Sequence, residues 1–571
     1  MNASLLKRAY LRGIACLFLF SPILSATPNR PNIILINIDN HDKGSLSYFG
    51  NTFIETPNID RLFEQGTRLQ NFRTAGRCTS SRSALMTGQY HARNGALGTG
   101  GAWGQMKDGV RTMAHVFKDG GYNTAMFGKW HLGDSHGQRP EDRGFEEVVS
   151  FENGAYLRGA IVRQGYNSSR RTGEAHRFNH NGTYQVYEGF RTDVWFREAN
   201  KFLDGRKACS KPFFIYLATV TAHAPNFGPK DLQAYYKKKY EREEFQWLRE
   251  RFLESLKRKG IKNQKDTSHP YDHAAEMANL DQNVGRLVAK LKETDLWENT
   301  IIVYMSDGLG GSSASIKKPH PLSNNPTTIL WPGQTQGRDL EKPLVANIDI
   351  LPTFAEICGI LLPDEYANTL DGQSFASLLA VNSATPWKPR PYIYDHQSGY
   401  GKDGIQGQMA IRPYSSASVT LPNGESISWR GGKLKGKGNP DDIKAAKEAY
   451  ESWLKSVLKD FPLGAYMHTH TDGRPIFLRS YPITDGPGED GLQQYLFLYF
   501  KESGTYTLDT NVSDYFGADY EEGKPTPATF TLFRKKTENR LPLGFDDKLK
   551  AYRVLPETLK AAFSKAATTQ V

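Results

Sequence analysis

Near its beginning the chain reads Ile33-Ile34-Leu35-Ile36-Asn37-Ile38-Asp39-Asn40, an apolar run that ends in an acid and an amide. The run lacks regular alternation of apolar and polar residues and is rich in branched side chains. This pattern is typical of a strand that is buried on both faces of a parallel sheet. Residues 213–217 and 301–305 form two later runs of the same kind. Together the three runs predict a large mixed, mainly parallel sheet.

Polar residues follow each run at once. Asp39-Asn40 follow the first run, Thr219 and then His223 follow the second, and Ser306-Asp307 follow the third. Open parallel sheets bind ligands beyond the carboxyl ends of their strands, so we expect these three ends to share one pocket. Apolar residues at positions 277–291 recur with a helical period on one face. The alternation of strands and helices predicts an α/β fold in which helices flank the sheet.

Length and composition predict more than one domain. At 571 residues the chain exceeds the usual size of a single domain. We expect residues 27–386 to form a catalytic domain, with a charged helical insertion at about 229–268. Residues 387–571 are predicted to form a smaller C-terminal antiparallel α+β subdomain, with one helix capped by Asn439. Its strand-like segments are residues 466–470, 476–479, 495–500 and 529–533.

The N-terminus has the composition of a signal peptide. Three basic residues among the first twelve precede an apolar run at 13–20, and small residues follow up to Ala26. The apolar run is shorter than the roughly 20 residues that a membrane span requires. Residues 1–26 are therefore predicted to be a signal peptide, with an uncleaved N-terminal anchor as the alternative. We expect an exported protein, periplasmic or secreted, without an integral membrane segment after signal removal.

The charge of the chain narrows the class of its partner. The formal net charge is +11, and +8 remains once residues 1–26 are removed. A basic exported protein favours a polyanionic partner, although the charge also fits a solvated basic surface. The sequence lacks an interleaved aromatic and basic motif for nucleic-acid binding, so nucleic acid is not an expected partner.

The cysteines cannot all be paired. Of the four in the sequence, Cys16 lies in the predicted signal peptide, which leaves Cys78, Cys209 and Cys358. An odd number leaves at least one thiol to explain. Cys209 and Cys358 could form a disulfide or be two buried thiols, and Cys78 is the candidate for a functional thiol.

Cys78 stands before a predicted helix. Thr79 or Ser80 is the expected cap of this helix, and Gly88 closes it. Backbone N–H groups at the start of a helix, with Arg82 one turn along, favour an anion at that place. Taken alone, Cys78 could instead be a buried structural cysteine or the thiol nucleophile of a peptidase.

The segment from Cys78 to Gly88 reads Cys-Thr-Ser-Ser-Arg-Ser-Ala-Leu-Met-Thr-Gly. It resembles the signature of the formylglycine-dependent type I sulfatases of the alkaline phosphatase superfamily. Further matches occur in the order of that family over residues 31–380. They are Pro31-Asn32-Ile33, Asp39-Asn40, Glu55-Thr56-Pro57-Asn58-Ile59-Asp60, Gly128-Lys129-Trp130-His131-Leu132-Gly133, Arg143-Gly144-Phe145, His223-Ala224-Pro225, Ser306-Asp307-Gly308, Trp331-Pro332-Gly333, Asp349-Ile350-Leu351-Pro352-Thr353 and Leu370-Asp371-Gly372.

The resemblance implies an alkaline phosphatase-like fold and hydrolysis of sulfate esters on a sulfated carbohydrate, either a polysaccharide or an oligosaccharide. It implies that a formylglycine-generating maturation enzyme oxidises Cys78 to an aldehyde, whose hydrate attacks the sulfate. The second hydroxyl of the hydrate would then expel sulfate by collapsing to the carbonyl. The resemblance also implies one calcium ion, bound by Asp39, Asn40 and Asp307 together with the modified Cys78.

The resemblance assigns roles to further residues. Arg82 and Lys129 would neutralise the sulfate oxygens. His131 would steady or deprotonate the hydrate, and His223 would protonate the leaving alcohol oxygen, a role that suits a side chain titrating near neutrality.

A third positive group would come from Lys317 or Lys318, of which Lys318 is preferred as the catalytic lysine. His320 and Lys317 are candidates for contact with the substrate. His396 lies near the predicted domain junction, where it could contact the sugar or be an ordinary loop histidine.

Two alternatives stay open within this resemblance, and a third lies outside it. A phosphodiester or phosphonate monoester hydrolase would use the same aldehyde and metal. A non-catalytic protein that binds sulfated glycans would fit Ser80, where the family has Pro or Ala, and Gly308, where it has Asn or His. A nucleic-acid-binding protein is the third, and export disfavours it.

Overall fold

The computed structural model describes residues 30–458, apart from short gaps, and eight short strands beyond residue 458. The predicted signal peptide and three predicted site residues, Lys317, Lys318 and His320, lie outside the described residues. The gaps are residues 97–105, 108, 134–137, 152–174, 208, 224–225, 262–267, 309, 311–313, 317–322, 380–385, 397–398, 401–408, 411–415, 431–432 and 436–438.

A mixed ten-stranded sheet forms the centre of the fold. The strands before residue 347 in the described part are β1 (Asn32–Ile38), β2 (Thr67–Leu69), β3 (Phe72–Arg73), β4 (Asn123–Lys129), β5 (Glu147–Phe151), β6 (Ala175–His180), β7 (Thr183–Glu188), β8 (Phe213–Ala218), β9 (Thr300–Ser306), β10 (Thr328–Leu330), β11 (Arg338–Leu340) and β12 (Val345–Ala346). The order in the large sheet is β11-β2-β10-β9-β1-β8-β4-β5-β6-β7, and β3 pairs with β12.

The middle of the sheet is parallel and buried, as the sequence predicts. Strand β1 pairs in parallel with β8 on one side and with β9 on the other, and β8 pairs in parallel with β4. Every residue of β1, β8 and β9 is buried. At the flanks, β10 pairs antiparallel with β9 and β2, and β6 pairs antiparallel with β5 and β7, which makes the sheet mixed.

Helices cover both faces of the sheet. The helices that contain Leu62, Trp195 and Leu280 pack on one face, and those that contain Leu85 and Leu351 pack on the other. Two helices lie within residues 229–261, in the region where the sequence predicts a charged helical insertion. The helices are α1 (Pro57–Gln65), α2 (Cys78–Thr87), α3 (His91–Asn94), α4 (Met113–Asp119), α5 (Arg191–Asp204), α6 (Lys230–Tyr240), α7 (Gln246–Lys259), α8 (Pro270–Glu293), α9 (Ile350–Ile357) and α10 (Asp364–Ala367).

The C-terminal part is antiparallel, which confirms the predicted α+β character. Strands β13 (Ile393–His396), β16 (Ser416–Thr420), β17 (Ser426–Arg430) and β18 (Lys433–Lys435) form one sheet, on which α11 (Pro440–Leu458) packs through Tyr450. The domain boundary at 386/387 stays a prediction. The other strands are β14 (Gly399–Tyr400), β15 (Met409–Ala410), β19 (His468–Thr469), β20 (Pro475–Pro482), β21 (Gln494–Phe500), β22 (Thr507–Leu508), β23 (Phe530–Arg534), β24 (Thr537–Leu541), β25 (Leu543–Asp546) and β26 (Ala551–Val554).

The pairing of two cysteines, which the sequence left open, has a structural answer. Cys209 and Cys358 are both free thiols, the first half-buried and the second buried, so they do not form a disulfide. Within the described residues, no helix has the length and apolar character required to cross a membrane.

Candidate active site

Four neighbouring strands end at one edge of the sheet and place the predicted site residues there. The strands β9, β1, β8 and β4 are adjacent and parallel to one another. Asp307 follows β9 and Asp39 follows β1, while Lys129 is the last residue of β4 and His223 lies in the turn after β8. The strand ends that the sequence predicts to share a pocket are therefore adjacent in the sheet.

Two acids and two bases form a buried cluster at this edge. Lys129 Nζ lies 2.5 Å from Asp39 Oδ2, and Arg82 Nη2 lies 2.8 Å from Asp307 Oδ2 and 3.8 Å from Asp39 Oδ2. None of the four side chains is exposed to solvent. Since buried charges require partners, the two cations and two anions balance each other.

Helix α2 brings Cys78 to the cluster. The helix begins at Cys78 itself, with Arg77 as the N-cap residue in an extended conformation and without a side-chain cap. The prediction that Thr79 or Ser80 caps the helix is wrong, because both residues are helical. Gly88 ends the helix in the left-handed conformation with φ of +65°, as predicted. Uncapped N–H groups at the start of α2 are consistent with an anion site there.

The Cys78 thiol is not activated as a thiolate. Its side chain is 8% exposed, and burial raises its pKa, an effect that Asp39 and Asp307 increase and Lys129 and Arg82 oppose. A thiol nucleophile of the peptidase type requires a lowered pKa. The electrostatics of the site therefore disfavour that interpretation of Cys78.

The two carboxyl groups have different electrostatic environments. Burial alone would raise the pKa of Asp39, but Lys129 and Arg82, together with His223, lower it to about 2. Burial and the neighbouring Asp39 raise the pKa of Asp307. The effect of His223 on Asp39 shows that the histidine lies within electrostatic reach of the cluster.

The oxygen atoms at this edge fit a hard cation. Asp39 Oδ1 is buried and has no hydrogen-bond partner among the described residues. Asn40 has φ of +55°, and its N–H donates to Asp307 Oδ1 at 3.0 Å. A Cβ atom at Gly308 would lie 3.2 Å from Asn40 Oδ1, so glycine leaves room beside the amide oxygen. Carboxylate and amide oxygens are the donors that calcium prefers.

The carboxylate count alone would not reveal this site. In the part of the chain that the structure describes, no group of three or more His, Cys, Asp and Glu side chains is placed to hold a metal ion. Asp39 and Asp307 supply two carboxylates, and the third candidate donor, Asn40, is an amide.

His131 lies just beyond β4 in an unusual backbone conformation. Its φ is +64° and its side chain is 7% exposed. Positive φ in a residue other than glycine is strained, and such strain clusters at functional sites. The placement next to Lys129 is compatible with its predicted role.

Sequence reasoning missed two residues that support Arg82. Tyr216 in β8 accepts a hydrogen bond through its hydroxyl from Arg82 Nη1 at 3.3 Å, and also one from Asn37 Nδ2 in β1 at 2.8 Å. Arg82 Nη1 also donates to the carbonyl oxygen of Lys129 at 2.8 Å. The available signal was the presence of polar groups inside apolar strand runs, where burial requires them to be bonded.

His396 lies inside the packing of the C-terminal sheet and its helix. Its side chain is fully buried, its Nδ1 lies 2.7 Å from the hydroxyl of Tyr450, and its carbonyl oxygen pairs with the His91 ring. The ring of His396 is therefore engaged in packing, and its predicted contact with a sugar stays a prediction. The residue packs the junction between α3, β13 and α11.

Comparisons with known proteins identify the family of this chain. Residues 31–360 match the family model of the sulfatases. The chain is 31% identical to an arylsulfatase from Klebsiella aerogenes over 328 residues, which are 50% of this chain and 67% of that protein. It is 25% identical to an N-acetylgalactosamine-6-sulfatase from Canis lupus familiaris, over 65% of this chain and 69% of that protein.

Solved structures share the fold. The structure of Ps i-CgsB in complex with k-i-k-neocarrahexaose has a TM-score of 0.56 and 24% identity, and covers 74% of this chain and 93% of its own. The structure of BT4656 with its substrate D-glucosamine-2-N,6-O-disulfate has a TM-score of 0.55 and 21% identity, with coverages of 76% and 99%. With a family match over more than half of its length, this chain belongs to the sulfatases, which are sulfuric ester hydrolases.

Proposed function

We propose that the substrate is a sulfated carbohydrate, a polysaccharide or an oligosaccharide, and that a formylglycine made from Cys78 is the nucleophile. One observation carries this proposal: Cys78 lies at the start of α2 and within electrostatic reach of Asp39, Asp307, Arg82 and Lys129. The arrangement joins a candidate nucleophile, oxygen donors for a cation, and two cationic side chains for an anion.

Charge balance supports binding of both a cation and a sulfate. Arg82 and Lys129 already offset the charges of Asp39 and Asp307. Calcium held by Asp39, Asn40 and Asp307 would add positive charge and polarise a sulfate oxygen. Lys129 and Arg82 would then bind the remaining sulfate oxygens, since the two carboxylates no longer use all of their charge.

Proton transfer is assigned to the two histidines. His223 would donate a proton to the leaving alcohol oxygen, and His131 would orient or deprotonate the nucleophile. Lys318 is our preferred third cation for the sulfate, and Lys317 and His320 are proposed to contact the substrate.

Two observations support a carbohydrate substrate. Some similar proteins are N-acetylgalactosamine-6-sulfatases, and two similar structures contain k-i-k-neocarrahexaose and D-glucosamine-2-N,6-O-disulfate. The net charge of +11 also suits a polyanionic chain. We further propose that residues 1–26 are a signal peptide, that the protein is periplasmic or secreted, and that a formylglycine-generating enzyme matures it.

Mass spectrometry and turnover test this proposal together. The tryptic peptide that contains Cys78, taken from the native host, should carry the mass of formylglycine, and the protein should release sulfate from defined sulfated oligosaccharides. Cys78→Ala should abolish release, whereas Cys209→Ala, which removes a half-buried thiol, should not. Unmodified cysteine without turnover would favour a glycan-binding role, and faster hydrolysis of phosphodiesters than of sulfate esters would contradict the proposal.

A further inference from the structure

Glu276 is a fully buried carboxylate on α8 that the chemistry above does not use. Its Oε1 accepts a hydrogen bond from Arg191 Nη2 at 2.6 Å, and its Oε2 accepts one from Asn226 Nδ2 at 2.9 Å. The backbone N–H of Ala222 also donates to this carboxylate. Glu276 therefore binds the chain immediately before His223 and again three residues after it.

The turn that carries His223 has a strained backbone. Ala222 has φ of +77°, a left-handed conformation that residues other than glycine rarely adopt. The N–H of His223 donates to the carbonyl oxygen of Val220 at 3.1 Å, which closes the turn. Such strain persists only where surrounding contacts hold the backbone in place. The bond from the Ala222 N–H to Glu276 is one of these contacts.

Close packing fixes the chain beyond the turn against the same helix. A Cβ atom added to Gly228 would lie 2.5 Å from Ala275 Cβ and 2.9 Å from the backbone nitrogen of Glu276. Before the turn, the hydroxyls of Thr192 and Thr221 lie 3.3 Å apart, and both residues are buried. The backbone on both sides of the turn therefore has little freedom to move.

The three groups around Glu276 are all hydrogen-bond donors: a guanidinium, a carboxamide NH₂ and a backbone N–H. An ionised carboxylate only accepts hydrogen bonds, whereas a glutamine would present an NH₂ group to one of these donors. A buried donor that loses its acceptor carries a desolvation cost, so the turn would relax to find another partner.

We propose that Glu276 is a positioning residue that holds His223 at the angle from which it protonates the leaving oxygen. The inference rests on the role proposed above for His223 as the general acid. Glu276 acts through the bonds to Ala222 and Asn226 and does not itself contact the substrate.

Leaving-group dependence tests this role, because a misplaced general acid matters most when the leaving oxygen is basic. The matured enzyme is assayed with aryl sulfates of graded leaving-group pKa, from 4-nitrophenyl sulfate to phenyl sulfate, and with a sugar sulfate. We expect Glu276→Gln to lower kcat/KM by less than about 3-fold for 4-nitrophenyl sulfate and by about 100-fold for the sugar sulfate. For His223→Ala, the loss in kcat/KM should likewise grow as the leaving oxygen becomes more basic. The double variant should lose little more than either single variant.

Two controls make the outcome interpretable. Glu198→Gln removes a buried carboxylate of α5 that pairs with Arg197 and Lys201, and it should leave the leaving-group dependence unchanged. If Glu276→Gln fails to fold by circular dichroism, Asn226→Ala, which removes one donor to the carboxylate, must show the same growth of the loss with leaving-group basicity.

The positioning role would be overturned if Glu276→Gln lowered kcat/KM by the same factor for all leaving groups. Additive losses of kcat/KM in the double variant would overturn it as well. An unchanged slope in His223→Ala would overturn it as well, since Glu276 would then have no acid to position. A wild-type enzyme that turns over none of these sulfate esters would instead contradict the proposed function.

Discussion

Lys129 and Asp39 form a buried ion pair, in which Lys129 Nζ lies 2.5 Å from Asp39 Oδ2. Removing one partner of a buried ion pair leaves the other charge uncompensated, which costs about 3–5 kcal/mol. We therefore expect Lys129→Met to lower the free energy of unfolding by about this amount and to abolish sulfate release. Urea unfolding measures the first effect.

Lys239→Met is the matched control for that substitution. Lys239 is also buried, but its partner Glu55 is half exposed and can be solvated when the ammonium group is lost. The expected loss of stability is about 1 kcal/mol. Equal losses in the two lysine variants would contradict the interpretation of the Lys129 pair as fully desolvated.

Calcium binding at Asp39, Asn40 and Asp307 should appear as stability. A ligand that binds only the folded state at 100 times its Kd stabilises that state by about 2.7 kcal/mol. We expect added Ca²⁺ to raise the Tm of the wild type, and EDTA to reverse the rise. Asp39→Asn should lose the response, whereas Asp339→Asn, which alters a half-exposed carboxylate paired with Arg68, should keep it. The same Ca²⁺ response in both variants would place the metal elsewhere.

The types of the site residues could be predicted from the sequence, but their supporting contacts could not. Asp39 and Asp307 directly follow apolar runs, and Arg82 lies one turn into a recognisable helix. Glu276 was missed because a glutamate in an amphipathic helix ordinarily faces solvent, and only the packed turn after β8 reveals that it is buried. The burial of His396 was not predicted, because exposure cannot be read from a loop-like sequence.

At the scale of elements, β4 approaches β8 so closely that only glycine fits before Lys129. Gly128 has φ of +120°, and an added Cβ atom would lie 1.8 Å from the carbonyl oxygen of Ala218. We expect Gly128→Ala to separate the strands, to displace Lys129 and to lower the free energy of unfolding by more than about 3 kcal/mol.

Gly260→Ala measures the cost of a side chain at positive φ without the steric clash that Gly128→Ala adds. Gly260 also has positive φ, at +66°, but an added Cβ atom would meet nothing within 4 Å. The cost should be about 1 kcal/mol, which is the conformational term alone. Urea unfolding of both variants makes the comparison, and a similar cost for the two substitutions would show that the contact with Ala218 is relieved by relaxation.

Elements with a strong pattern were predictable, and those decided by tertiary contacts were not. The runs that became β1, β8 and β9 are fully buried, so composition alone identifies them. Strand β11 is a short exposed edge strand without an apolar pattern, and no sequence signal marked it. Helix α2 begins at Cys78, earlier than predicted, because Arg77 has the extended conformation that an N-cap requires.

At the scale of the whole molecule, a buried histidine joins the C-terminal sheet to the catalytic part. Burial and the neighbouring His91 lower the pKa of His396 to about 4. The pKa of this histidine is 6.5 in the unfolded chain, so between pH 6.5 and pH 4 the unfolded chain binds a proton that the folded chain does not. Stability from this residue is therefore present above pH 6.5 and is lost as the pH falls towards 4.

We expect the wild type to lose on the order of 2 kcal/mol through His396 between pH 7.5 and pH 5. His396→Gln should remove this part of the pH dependence, which unfolding in urea at the two pH values measures. His180→Gln, at a half-buried site on β6, is the control and should retain it. A pH dependence in His396→Gln equal to that of the wild type would show that folding does not lower the pKa of the His396 imidazole.

The burial of α2 limits when an enzyme can reach Cys78. All ten residues from Cys78 to Thr87 are helical and buried, and the Ser80 hydroxyl lies inside the fold, 3.4 Å from the carbonyl oxygen of Ala96. If Cys78 is converted as we propose, the maturation enzyme has to reach this segment before the sheet and helices close around it. The fraction of active molecules is then set by a competition between two rates, conversion and folding, and a slower-folding variant would emerge more completely matured.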